Sequence, residues 1–148
     1  MYNLLVFIHI VAAVMGLGAA FGFPIVARSA KIASQAKYTF GLLKKLELLP
    51  KIGSITLLLT GIILGIMEPS LFTTGWYIAS LVLYFAAQVI IIGILPKKIK
   101  EQADILDRHT GEDLPEAYKA IGKQAGKLES ITHLLAFLLI LLMYYKPF

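Results

Sequence analysis

Three side chains in this sequence carry chemistry into apolar surroundings: His9, His133 and Arg28. His9 stands inside residues 4–26, LLVFIHIVAAVMGLGAAFGFPIV, a run without a formal charge. A neutral imidazole there can ligate haem iron or another metal, relay a proton, or hydrogen-bond a neighbouring helix. An ionisable group at membrane depth is a functional-site candidate by default. His133 follows Glu129 by four residues, so on a helix the two stack on one face and the carboxylate can orient or charge the ring. Arg28, four residues beyond Pro24, either anchors topology or pairs bidentately with a propionate or phosphate.

Weaker signals surround these three. Gln88 is an amide in the middle of an apolar run, and Ser54, Thr56, Thr60 and Ser80 add hydroxyls. With His9 and His133 they could form a polar thread through the bundle, but hydrogen bonds between helices account for them more cheaply. Met15, Met67 and Met143 together with His9 offer thioethers and imidazole, a set that suits Cu(I), but they are spread over three runs. His109 sits in a polar turn, HTGED, and reads as solvated. The acids around it fit no calcium-binding loop. Cysteine is absent, which excludes disulfides, thiolate metal sites and cysteine nucleophiles. No phosphate-binding loop, Ser/His/Asp set or HExxH zinc motif occurs.

The elements that must position these residues are apolar spans. The chain has 148 residues, 58% hydrophobic and 16% charged, against about a quarter charged in soluble domains. Four spans emerge, at about 3–27, 51–67, 76–96 and 129–146. The second is short unless the LLKKLELLP stretch before it continues the helix, in which case Pro50 kinks a longer helix rather than opening the span. The first lacks the positive leader of a signal peptide and is expected to be retained. Asp113 is the expected cap of a helix that runs on into the last span, its first half protruding from the membrane. Small residues at four-residue spacing (Ala12, Gly16, Ala20; Gly61, Gly65) suit tight helix packing or a homodimer face.

Charge sets the expected orientation. Of the 14 Lys and Arg residues, all but Lys146 fall in the loops after the first and third spans. Those loops are therefore expected to be cytoplasmic, with both termini outside. Tyr2, Phe72, Trp76, Tyr77, Tyr144, Tyr145 and Phe148 then form an aromatic belt at the outer face. The net charge of +5 follows the topology, so nucleic acid is not an expected partner. In this frame His9 lies about 10 Å below the outer end and His133 about 6 Å above the inner end, an awkward offset for two ligands of one iron.

The helix from His9 to Pro24, the Arg28 after it and the tail Met143-Tyr144-Tyr145-Lys146-Pro147 resemble an uncharacterised bacterial family of small four-helix integral membrane proteins. The resemblance covers the whole chain. More distantly, the first-helix histidine and the later Gly and Pro are similar to HemJ-type protoporphyrinogen oxidases and CopD-like copper-resistance membrane domains. The HemJ-type resemblance implies that His9 is associated with haem. Met15-Gly16 stand where that family usually carries a tryptophan.

The expectation is an all-α membrane protein: one domain over residues 1–148, a four-transmembrane-helix bundle with cytoplasmic helical extensions, in the cell membrane. Its expected cofactor is haem b, held by His9 with His133 as second ligand and Arg28 toward the cofactor. Such a protein would serve electron transfer or porphyrin handling with a redox partner. A non-catalytic scaffold or assembly protein is the alternative, and a small transporter acting as a dimer the third reading. Whether any reaction is catalysed stays open.

Overall fold

A computed structural model describes residues 1–148 as four long helices and no strands. They are α1 (Tyr2–Ser29), α2 (Ala33–Met67), α3 (Gly75–Arg108) and α4 (Glu116–Tyr145), each long and apolar enough to cross a membrane. The structure buries only 21 of its 148 residues, and Val14, Ile25 and Ile92 are 67%, 75% and 71% exposed. A surface so apolar belongs against lipid.

Three prolines shape the helices, each by withholding the amide that would bond the carbonyl four residues earlier. Pro50 withholds it from Leu46, and α2 breaks for one residue at Glu47. Pro96 withholds it from Ile92, inside a π-helical stretch over Val89–Ile94. Pro24 withholds it from Ala20, one turn after a second π-helical stretch over Val14–Gly18.

The helices overrun the spans read from hydropathy. The apolar stretch 51–67 is the end of a helix that starts at Ala33, and α3 continues past Pro96 to Arg108. At α4 the expected cap is corrected. Pro115 precedes the helix, and Asp113 instead meets Nε2 of His109 at 3.1 Å in an exposed turn.

α1 packs closely on α2, and α3 on α4. Gly53 marks the tightest approach in the first pair. A Cβ there would overlap the Gly16 amide nitrogen and stand 2.8 Å from the Ala12 carbonyl oxygen. Beyond the basic end of the bundle, α2, α3 and α4 form a short stalk around Ala30, Ala33, Ala36 and Leu106, with Phe40, Leu114 and Tyr118 against them. Its tip is tied by the Ala33 amide, which donates to the Glu112 carbonyl at 2.9 Å. At the opposite end the Trp76 amide donates to the Phe148 carbonyl at 2.9 Å, and the Lys146 ammonium lies 5.5 Å from the Trp76 ring centre.

Candidate functional site

His9 faces α2. Thr60 Oγ1 gives its proton to the Thr56 carbonyl at 2.7 Å, the ordinary back-bond of a helical threonine, so toward the ring it can only accept. His9 Nδ1 therefore donates to Thr60 Oγ1 at 2.8 Å. This assigns a neutral ring protonated on Nδ1, with a lone pair on Nε2. The ring edge packs on Gly61, where a Cβ would stand 3.4 Å from Cε1. Nε2 makes no hydrogen bond within the chain, and since the structure contains no enclosed polar side-chain atom without a partner, Nε2 is not sealed inside the bundle.

His133 lies on the other side of α1. Its Nε2 approaches the Ala20 carbonyl oxygen at 3.3 Å, the carbonyl that Pro24 leaves without an amide, so the nitrogen donates. Phe21 stacks on the ring with centroids 4.4 Å apart and planes at 24°. Arg28 packs against α4, its Nη2 only 2.9 Å from where a Cβ on Gly126 would stand. Glu129 is half-buried, one turn further along α4, and forms no ion pair.

The structure does not bring His9 and His133 together. The residues they bond along α1, His9 itself and Ala20, are eleven apart, or about 16 Å along a helix axis. No three His, Asp or Glu side chains gather as a set that would hold a metal ion. Two open grooves, about 330 and 200 Å³, are lined mainly by apolar side chains, and neither is lined by His9 or His133. A haem would thus find a lone pair on His9 Nε2, with neither of these two grooves beside it.

A second polar group joins the helix pairs at the middle of the bundle. Tyr84 donates to the Ser54 carbonyl at 2.9 Å and meets the Ser54 hydroxyl at 2.7 Å, and Gln88 Nε2 donates to Ser54 Oγ at 2.7 Å. Seven residues earlier on α3, Tyr77 donates to the Gly61 carbonyl at 3.1 Å. The α2 and α3 backbones stay apart here, bridged by these side chains. Within the bundle the long α3 and α4 side chains donate toward α1 and α2.

The sequence singles out Ser54, Thr60 and Gln88 but not Tyr84, and it assigns Tyr77 to the aromatic belt, whereas the structure buries Tyr77 against α2. The signal was present. Tyr77, Tyr84 and Gln88 share one helix face, and their acceptors Ser54 and Gly61 repeat the seven-residue step on α2. The small-residue faces serve the fold: Ala12 and Gly16 meet Gly53, Gly61 meets His9, and Gly65 meets Tyr77 and Phe72.

The model of a family described as "Predicted integral membrane protein (DUF2269)" matches residues 3–147. No curated protein and no solved structure matches the chain.

Proposed function

The chain belongs to this family of predicted integral membrane proteins, and on that premise we propose that it is a non-catalytic scaffold, joining a partner within the bilayer. The observation that carries the reading is His9. Its Nδ1–H is held by Thr60, while Nε2 makes no hydrogen bond within the chain and is not sealed inside the bundle. In hydrocarbon an unpaired acceptor is costly, and a donor on a partner helix relieves that cost. His133, by contrast, has its Nε2 against the Ala20 carbonyl.

The test is the complex itself. In native membranes the protein runs in an assembly larger than its own micelle. His9→Gln, which can still accept, keeps that assembly, and His9→Leu loses it. Equal assembly in His9→Leu overturns the reading. If the partner is a second copy, the faces at Gly16 and Gly61 are already occupied, which leaves Gly18 and Gly22 open.

The second reading is b-type haem with His9 as axial ligand, favoured by the same tautomer, because a ligating histidine holds its other ring N–H in a hydrogen bond. The cofactor would supply electron transfer, and a redox partner or second copy would have to complete its pocket. In this reading His9 alone supplies the iron ligand, with Arg28 and His133 nearer the basic end of the bundle. The absorption spectrum of purified protein after haem supplementation separates the two readings. A Soret band in the wild type that is lost in His9→Ala supports haem, and no band in either ends it.

The charge asymmetry supports the orientation: both termini outside the cell membrane, with the basic stalk in the cytoplasm.

A further inference from the structure

The contacts between helices fix a common height for residues far apart in sequence. Gly16 lies against Gly53 and Ser54, and Gln88 bonds Ser54. Moving ten residues toward the basic end from this bonded pair reaches Lys44 on α2 and Lys98 on α3. Moving twelve residues from Gly16 reaches Arg28, which packs on Gly126, the neighbour of Lys127 on α4. Arg28, Lys44, Lys45, Lys97, Lys98 and Lys127 therefore form a collar at one level around all four helices. That level is about 37 Å from the aromatic end, counting 25 residues from Asn3 to Arg28 along α1, just past a hydrocarbon core of roughly 30 Å.

Of the collar's lysines, the carboxylates near this level pair only Lys98. Glu47 pairs with Lys51 at 2.8 Å and Glu101 with Lys98 at 3.3 Å, while Glu129 forms no ion pair. Lys44, Lys45, Lys97 and Lys127 are all exposed and form no ion pair. Directly above them on the bundle surface stand Leu48, Ile52 and Ile92, 60%, 46% and 71% exposed. Cations at headgroup height over apolar flanks complement a molecule with a negative head and an acyl tail. We propose that the collar is a binding surface for anionic phospholipid, with phosphates on the four unpaired lysines and acyl chains along the flanks below the Ser54–Gln88 bridge. Clustered lysines next to a membrane span bind anionic headgroups at about fivefold per lysine, weakened by salt.

The experiment measures binding of fluorescent phosphatidylglycerol and phosphatidylcholine to the purified full chain in detergent. The wild type prefers phosphatidylglycerol, and salt erodes the preference. Lys44→Gln/Lys45→Gln/Lys97→Gln/Lys127→Gln loses it by tenfold or more. Lys31→Gln/Lys37→Gln/Lys119→Gln/Lys123→Gln removes equal charge from the stalk and keeps it. Both variants retain wild-type helix content by circular dichroism, so each reading is taken on folded protein. Inorganic phosphate does not compete at concentrations where unlabelled phosphatidylglycerol does. Equal loss in the two variants, no loss in the collar variant, or effective competition by phosphate overturns the proposal.

Discussion

His133 donates to the carbonyl of Ala20 at 3.3 Å, and that carbonyl is free only because Pro24, four residues on, has no amide to give it. A proline on one helix and a histidine on another thus act on one oxygen. Sequence comparison of the two histidines treats them as equals, but the structure separates them. One repairs the backbone of its neighbour, and the other leaves a nitrogen unclaimed.

The repair has a suppressor. His133→Ala should lower stability by about 1 kcal/mol, the scale of a hydrogen bond between membrane helices. Pro24→Ala returns an amide to Ala20, so His133→Ala in that background should cost clearly less. Reversible unfolding in mixed micelles measures the four corners of the cycle. Equal cost in both backgrounds refutes the pairing.

Glycines with and without neighbours should respond oppositely. Gly53→Ala forces a methyl into the Gly16 backbone and should destabilise by about 1–3 kcal/mol. Gly18→Ala and Gly22→Ala meet nothing within 4 Å and should be neutral or gain up to about 1 kcal/mol. The same unfolding assay ranks them.

The Ser54 group should be non-additive. Ser54→Ala leaves Gln88 without its acceptor, and Gln88→Leu removes the donor but keeps a satisfied serine. The double variant should cost less than the sum of the singles, because it strands no polar group in hydrocarbon. A strictly additive double variant argues that Gln88 finds another partner.

The proposed orientation is testable with the absence of cysteine as an asset. Thr73→Cys, in the short connection between α2 and α3, should react with an impermeant maleimide added to intact cells. Lys123→Cys, on the stalk, should react only after lysis. The reverse pattern inverts the topology.

Much of this fold is legible in the sequence because lipid leaves few options: charge-free runs of some twenty residues must be helices. The small residues and the one-sided basic charge follow from the same solvent. What periodicity hides is continuity. The break at Glu47 is only one residue, so hydropathy ends a span where the helix does not. The role of His133 needed no coordinates in principle, since counting back four from Pro24 identifies an oxygen in want of a donor. Which donor answers it depends on how α1 and α4 pack, and that is tertiary information. His9 was legible as an outlier, while its tautomer required seeing Thr60 bond its own helix.

The seam through the middle of the bundle has a consequence for how the molecule can be taken apart. Each helical hairpin is internally close-packed, whereas the Tyr77, Tyr84, Gln88 and His133 bonds cross between them from one side. Residues 1–68 and 74–148, expressed as two separate polypeptides, should therefore each insert as a hairpin and recognise one another afterwards, like a plug finding its socket.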